Sequence, residues 1–241
     1  MSLNDQYRRE QRELNREALL RLAALFPALD LNAIDATGPG WVLAAEQITA
    51  GHYAASQSLA QRAYEAQRSA AGLIDHVSFV LPGMDGAKLR ASLTFKGPYA
   101  AKKLLSQGVP PAEVRRLLFG ATTGRALRTG LDGGRDTFRA GADQDPKCVG
   151  WKRITSAGAC RFCRFLADRG AVYMESTAIF AAHDNCMCTA AAVFKGGEIG
   201  PEASVEQYLG SRKTRTPKDR ERLLDALEAF EPRLPVRAGR A

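Results

Sequence analysis

The pattern of apolar and polar positions predicts helices through most of the first half of the chain. In residues 5–26 leucines recur at helical spacing while arginine and glutamate occupy the other positions, which is typical of an amphipathic helix. Asn4 or Asp5 is the expected N-cap of this helix. The glycine, proline and aspartate of residues 30–40 predict a linker, and the alanine-rich residues 41–73 predict a second, longer helix.

The middle of the chain mixes apolar periodicity with helix-breaking residues. Residues 77–81 alternate apolar and polar positions, which predicts a short strand or an extended segment. Residues 87–107 predict a helix that is interrupted at Gly97. A further helix is expected to start at Pro111, whose fixed φ angle suits a first turn. Five glycines fall within residues 120–134, and they predict a division of this stretch into two short helices.

Short strands are expected to replace the long helices beyond residue 146. Residues 147–156 and 189–194 predict two strands, and residues 171–174 predict a third. Residues 160–169 predict a short helix between them. After this module, residues 201–241 predict two short helices and a basic tail rich in proline and arginine.

Five potential metal ligands lie within fewer than thirty residues of this module. The chain has five cysteines and three histidines in total. Tetrahedral zinc needs four such ligands, which usually come as two close-spaced groups joined by a loop. Five candidates for four positions leave one spare, and the spacing does not settle which one. We favour Cys160, Cys163 and His183 as ligands. One or both of Cys186 and Cys188 would complete the shell.

A zinc ion with four protein ligands has no open position, so this site is expected to be structural and to supply folding free energy. A catalytic zinc would need a nearby base, and the neighbouring carboxylates Glu175 and Asp184 have no motif around them. The alternative to a metal is a disulfide or a set of buried thiols. Clustered cysteines and the lack of a secretion signal favour the metal. Cys148 is expected to be an apolar filler.

The expected fold class is therefore mainly α, with a helical N-terminal and middle region and a small zinc-stabilised α+β module near the C-terminus. We divide the chain into an N-terminal helix and linker (1–37), a helical domain (38–145), a zinc-binding module (146–200) and C-terminal helices with a basic tail (201–241).

Composition and charge narrow the class of partner. The 241 residues are 45% hydrophobic and 25% charged, which is typical of a globular chain. The sequence has no run of 18 or more apolar residues, so no membrane span is expected. The formal net charge is +8, and residues 88–139 carry eleven basic against three acidic residues. This excess predicts an acidic partner, most obviously nucleic acid, although a solvated helical face is the alternative.

The 45 residues from 150 to 194 resemble the C-terminal signature of MuF-like minor head proteins of tailed bacteriophages, with the closest likeness in the actinobacterial-phage branch. That pattern combines G-W-x-R, a small-residue turn, C-x-x-C, a helix ending in R-G-x-V-Y, H-x-x-C-x-C and a final V-F. The helical front half is similar only in general character. The matching residues are Gly150, Trp151, Arg153, Cys160, Cys163, Arg169, Gly170, Val172, Tyr173, His183, Cys186, Cys188, Val193 and Phe194.

The resemblance implies a structural minor capsid protein that is portal-associated, internal to the head, and active in head assembly or in accompanying the DNA. The implied partners are the portal protein, the major capsid protein or both, with packaged DNA facing the basic helices and no membrane. The implied location is the virion, inside the head or at its portal vertex, after assembly in the host cytoplasm.

Two other functions are open alternatives. A capsid maturation protease is the first, because genes of this branch often carry that label, and it would use Ser78 with His76 or His52. Asp75, His76 and Ser78 are nearly adjacent in sequence, however, and the chain has no G-x-S-x-G elbow, so we do not expect an enzyme. A zinc-stabilised DNA-binding protein is the second; a nuclease would need further ligands, and only Asp184 is near.

Overall fold

A computed structural model describes residues 2–155, 158–168, 180 and 182–195. The fold is mainly helical, as predicted, with one small antiparallel pair of strands. A 3-10 turn at Phe26–Ala28 follows the first helix, and a π-helical turn at Phe95–Tyr99 joins the third to the fourth. The elements are α1 (Leu3–Leu25), α2 (Ile34–Ala70), α3 (Gly86–Thr94), α4 (Ala100–Ser106), α5 (Pro111–Gln144), β1 (Cys148–Ile154), α6 (Arg161–Asp168) and β2 (Thr189–Phe194).

Helix α1 begins earlier than the sequence predicts. Its N-cap is Ser2, whose hydroxyl oxygen accepts a hydrogen bond from the backbone N–H of Asp5 at 3.1 Å. The Asp5 carboxylate in turn accepts a hydrogen bond from the Ser2 hydroxyl at 2.8 Å. Predicting Asn4 or Asp5 as the cap was therefore wrong, because Asp5 acts as the reciprocal partner three residues into the helix.

Helix α2 begins at Ile34 and contains Pro39, so the linker predicted for residues 30–40 is wrong. A proline in a helix removes one backbone hydrogen bond. Burial compensates here, since Ile34 and Trp41 lie in the apolar interior and Gly38 lies against the ring of Pro98. The helix crosses position 37, where we divided the first two domains; that division stays a prediction.

Helix α5 is continuous over 34 residues, so the predicted division into two short helices is wrong. Its glycines serve close packing against α2. A Cβ atom on Gly133 would lie 2.3 Å from the backbone oxygen of Tyr53, and one on Gly141 would lie 2.4 Å from the ring of Tyr64. Helix backbones approach this closely only where a side chain is missing.

The described residues form two hydrophobic clusters in the interior. The first core is largely aliphatic and comes from α1 to α5: Ala18, Leu22, Leu29, Leu31, Ile34, Trp41, Val42, Ala45, Leu89, Leu93, Ala101, Val114, Leu118, Ala126 and Leu127. The second core is rich in aromatic rings and thiols: Tyr7, Ala60, Tyr64, Phe138, Trp151, Cys163, Phe180, Cys186, Cys188, Ala190 and Phe194.

Buried polar contacts fix the alignment of the long helices. The Ser56 hydroxyl donates to the side-chain oxygen of Gln11 at 3.0 Å and accepts from the backbone N–H of Gly134 at 3.0 Å. At the end of α5, Asp145 accepts hydrogen bonds from Arg68 at 2.8 Å and from the hydroxyl of Tyr64 at 2.9 Å. Since buried polar groups must be satisfied, these contacts select one register of α1, α2 and α5.

Strands β1 and β2 pair in antiparallel fashion, with Trp151 opposite Ala192 and an irregularity between Cys148 and Gly150. Both strands and the short helix α6 confirm the corresponding predictions. Residues 77–81 belong to an extended segment outside helix and sheet. The strand predicted at 171–174 and the helices and tail predicted at 201–241 lie outside the described residues. No helix in the described part of the chain has the length and apolar character that crossing a membrane requires.

Candidate metal centre

The predicted ligands come from two segments that the strand pair and α6 bring together. Cys160 directly precedes α6 and Cys163 lies in its first turn, where the backbone N–H of Cys163 donates to the sulfur of Cys160 at 3.4 Å. The second segment leads into β2 and contains a turn in which the N–H of Cys186 donates to the carbonyl of His183 at 3.1 Å. Asn185 within this turn has a φ angle of 66°.

All five predicted ligands lie in two overlapping groups that share Cys163. The first contains Cys160, Cys163 and His183, and the second contains Cys163, Cys186 and Cys188; the ligand atoms within each lie within 4.8 Å of one another. These groups are close enough to hold a metal ion. Cys163, Cys186 and Cys188 are buried, whereas Cys160 and His183 face solvent.

The separations are close to the edges of a zinc tetrahedron. Zinc bond lengths imply edges of about 3.8 Å between two sulfurs and about 3.5 Å between sulfur and nitrogen. The sulfurs of Cys163 and Cys186 are 3.5 Å apart, and Cys163 Sγ lies 3.8 Å from His183 Nε2. Cys160 Sγ lies 2.9 Å from the same nitrogen, which is a hydrogen-bond distance. That last pair would have to separate by roughly 0.6 Å, and the two groups would have to draw together, to complete one tetrahedron.

His183 presents the nitrogen that a metal would need. Its Nδ1 donates to the backbone carbonyl of Asp184 at 2.8 Å, so Nε2 faces the two sulfurs as the acceptor. The hydrogen bond to this carbonyl raises the pKa of His183 above its ordinary value. A backbone partner on the far nitrogen is the usual way in which a ligating histidine is oriented.

The thiols influence one another's ionisation. A hydrogen bond from the Cys163 thiol lowers the pKa of Cys186, and Arg135 adds to that effect. The same bond raises the pKa of Cys163. Burial raises the pKa of Cys160, but hydrogen bonds from the Cys163 N–H and with His183 outweigh it, so this pKa lies below its ordinary value. The pKa is thus lowered at Cys160 and Cys186, which favours the thiolate form that binds a soft cation, and raised at Cys163 and Cys188.

Two buried arginines and one aromatic ring adjoin the thiols, and sequence reasoning did not assign them to the site. Arg135 on α5 donates to the carbonyls of Cys186 and Cys188, while Arg153 on β1 donates to the sulfur of Cys163 at 3.9 Å. Both guanidinium groups lie over the ring of Phe180. The signal available in the sequence was weak, since Arg135 is one of many arginines on a helix and only Arg153 belongs to the quoted motif.

The remaining candidate residues lie apart from the thiols or are already bound. Cys148 is half-buried on β1, where its thiol contacts the carbonyls of Gly150 and Val193, in keeping with a filler role. Asp184 forms an ion pair with Lys96 at 2.6 Å. Glu175 lies outside the described residues.

The serine and histidines of the protease alternative are divided between two places. Ser78 and His76 lie on the exposed extended segment, whereas His52 is buried between α2 and α5 against Gly130. Among the residues that the structure describes, no hydrogen bond joins Ser78 to either histidine. The geometry therefore gives no specific support to a catalytic triad.

Together these features define a mainly helical protein whose C-terminal module carries a cluster of thiols and imidazole able to bind a metal ion. A family model described as VG15 protein matches residues 2–211. The chain belongs to this VG15 family, which is a viral, phage-associated protein family. No curated protein and no solved structure matches the chain.

Proposed function

We propose that this member of the VG15 family is a MuF-like minor head protein of a tailed phage, with a structural zinc ion in its C-terminal module. The observation that carries the proposal is the position of the ligand cluster. The five clustered ligands fall inside the block of residues 150–194 that resembles the MuF-like signature, within a chain of a viral family.

Zinc is the metal that best suits these donors. Sulfur and imidazole ligands select zinc over magnesium or calcium, which prefer oxygen. Four of the five residues would fill the coordination shell and leave no site for substrate. The zinc would then stabilise a module whose own core is small, and that module would dock on the portal or the major capsid protein.

Metal analysis of the purified chain tests the zinc assignment. We expect one zinc per chain, lost on replacing Cys163, which belongs to both groups, by serine. Cys148→Ser is the matched control, because that cysteine lies outside both groups, and it should retain the metal. The spare ligand can be found with three further variants, Cys186→Ser, Cys188→Ser and His183→Ala. The variant that still binds one zinc per chain has lost the spare ligand. A wild-type chain that purifies without metal and binds none on addition would contradict the assignment.

Co-expression and particle analysis test the virion role. We expect the chain to co-purify with portal protein and to be present intact in mature particles when these are examined by mass spectrometry. Replacing Cys163 by serine should abolish co-purification if docking depends on the module. Cleavage of co-expressed major capsid protein, lost on Ser78→Ala, would instead support the maturation protease.

The charge available for contact with packaged DNA is smaller than the number of basic residues in 88–139. Of the eleven basic residues in 88–139, seven form ion pairs with carboxylates of this chain, several of them on other elements: Arg90, Lys96, Lys102, Arg116, Arg128, Arg135 and Arg139. Counting charges within the segment alone therefore overstates the charge available to a partner.

DNA binding through residues 88–139 should consequently depend on salt less steeply than eleven phosphate contacts would require. About four of these basic residues have no carboxylate partner in the described part of the chain, so the slope of log K against log salt for this segment should be no steeper than about −4. A steeper slope, measured on double-stranded DNA by fluorescence anisotropy, would favour the DNA-binding alternative over the head-protein proposal.

A further inference from the structure

Arg135 joins the helical bundle to residues 182–188, the loop that carries three of the candidate ligands and is called the metal loop below. It lies in the middle of α5 with 2% of its surface exposed. Its Nε donates to the carbonyl of Cys188 at 3.1 Å and its Nη2 to the carbonyl of Cys186 at 2.6 Å. One planar guanidinium therefore fixes the backbone on both sides of Met187, and with it the directions in which the two thiols point.

Arg153 approaches the cluster from the opposite segment. It lies on β1, opposite Ala190 of β2, with 3% of its surface exposed. Its Nη1 donates to the sulfur of Cys163, the residue that both ligand groups share, and its Cζ lies 3.8 Å from the centroid of the Phe180 ring. The Cζ of Arg135 lies 4.9 Å from the same centroid. The Phe180 ring thus contacts both guanidinium groups, that of Arg135 on α5 and that of Arg153 on β1.

The two arginines and the ligand set have complementary charge. A zinc ion with three thiolates and one imidazole carries one net negative charge, and with four thiolates it carries two. Burying a cation is costly unless an opposite charge accompanies it. Arg135 has Asp132 at 2.7 Å as a carboxylate partner, and its Nε and Nη2 both donate to carbonyls of the cysteine-bearing loop. Neutral thiols would offset the buried positive charge less well than a thiolate-rich metal centre.

We propose that Arg135 and Arg153 are positioning residues of the metal centre, which balance the net negative charge of its thiolates while Arg135 fixes the loop that carries two of them. This inference rests on the proposed zinc site. It assigns a function to two buried residues that the ligand motif alone leaves unexplained. It also predicts that helix α5, although it supplies no ligand, controls the affinity of the module for metal.

Zinc affinity, measured by competition with a chromophoric chelator, tests this inference. Loss of an outer partner of a metal site typically weakens metal binding about 10- to 100-fold. We expect a weakening in that range for Arg135→Met and for Arg153→Met. Arg153→Lys keeps the charge near the sulfur and should bind within about threefold of wild type. Arg135→Lys should fall between these values, since an ammonium group cannot reproduce the planar fork that bonds both carbonyls.

Arg68→Met is the matched control. Arg68 is as buried as the other two arginines, but its partners are the carboxylates of Asp145 and Asp75. This variant should melt at a lower temperature both with zinc and with chelator, and its zinc affinity should be unchanged. If Arg135 and Arg153 are positioning residues, Arg135→Met and Arg153→Met should instead weaken zinc binding. Their melting temperatures should fall more in the zinc-loaded form than with chelator.

Cobalt substitution keeps the test usable if a methionine variant folds poorly. The sulfur-to-cobalt absorption of the lysine variants should match wild type for Arg153→Lys and be altered for Arg135→Lys, whose loop is no longer fixed. Wild-type zinc affinity in both methionine variants, with the wild-type chain binding one zinc, would overturn this inference alone. A wild-type chain that binds no zinc would overturn the proposed centre and this inference together.

Discussion

The first core and the second core differ in the side chains that stabilise them. The first is made largely of leucine, valine, isoleucine and alanine side chains, and their burial stabilises it. The second combines aromatic rings with three buried thiols, two of which lie on a loop outside helix and sheet. The proposed zinc ion would add stability to this second core. We therefore expect the two cores to differ in their dependence on metal.

The two tryptophans of the chain provide one probe for each core. Trp41 lies in the first core, edge-on to Phe26 at 6.2 Å, and Trp151 lies in the second, stacked on Phe180 at 5.4 Å. Replacing either one by phenylalanine leaves a single fluorophore. The unfolding of each region can then be followed separately in the same chain.

Metal removal should have the largest effect. Excess chelator, or Cys163→Ser, should destabilise the second core by more than about 5 kcal/mol, because structural zinc contributes about 10–16 kcal/mol to small modules. Trp151 fluorescence in a Trp41→Phe background should shift to that of an exposed indole. Trp41 fluorescence in the reciprocal background and the far-ultraviolet circular dichroism of the long helices should change little.

Cys148→Ser is the control for this experiment, since that thiol is half-buried on β1 but outside both ligand groups. It should leave Trp151 in its native environment. Simultaneous loss of both fluorescence signals on chelation would show that the two cores form one cooperative unit and that the contrast drawn between them is wrong.

Close packing of α2 on α5 should give the next largest effect. A methyl group on Gly133 would lie 2.3 Å from the Tyr53 carbonyl, which cannot rotate away, so Gly133→Ala must separate the helices. We expect a loss of at least about 3 kcal/mol, at the upper end of the range for overpacking. The measurement is urea unfolding followed by circular dichroism. Both tryptophans should report the loss, because α5 contributes to both cores.

Gly120→Ala makes the same change on the same helix without a steric conflict, since a Cβ atom there would meet nothing within 4 Å. It should stabilise the chain by up to about 1 kcal/mol through helix propensity. Equal effects of the two substitutions would mean that the glycines of α5 are not packing positions.

These glycines illustrate what the sequence can predict and what it cannot. Helical periodicity located the long helices, and ligand spacing brought five metal-binding candidates to one place, because both are local patterns. Gly133 appears in sequence as a helix breaker, and its packing role depends on Tyr53, eighty residues earlier. For the same reason Pro39 was assigned to a linker and Arg135 was not assigned to the site. Their roles are set by partners distant in sequence, which a single sequence without its fold does not indicate.

A pH-dependent loss of stability should follow from His52, at the contact between α2 and α5. Burial, with a smaller contribution from Arg135, lowers its pKa from 6.5 to about 4. The unfolded chain therefore takes up a proton between those two values that the folded chain does not. The contribution of neutral His52 is fully present above pH 6.5 and falls as the pH decreases towards 4, by up to about 3 kcal/mol.

His52→Leu should flatten this dependence, which urea unfolding at a series of pH values between 4 and 7 would measure. His76→Leu replaces a histidine on the exposed extended segment and should leave the slope as in wild type. An unchanged slope in His52→Leu would show that His52 is protonated in the folded chain and hence has a partner at the helix contact.

The smallest expected effect concerns an ion pair that connects the two regions at the surface. Lys96, in the π-helical turn beside the first core, pairs with Asp184 of the metal loop at 2.6 Å, and both side chains are about one-third exposed. Solvent screens such a pair, so Asp184→Asn should cost only about 0.5 kcal/mol. The loss should appear in the urea midpoint of Trp151 and should diminish at high salt. Asp35→Asn, which breaks an exposed pair with Lys102 on the first core, is the control and should leave the Trp151 midpoint unchanged. If Asp184→Asn instead released zinc or unfolded the module, the carboxylate would have to be counted among the groups that hold the ion.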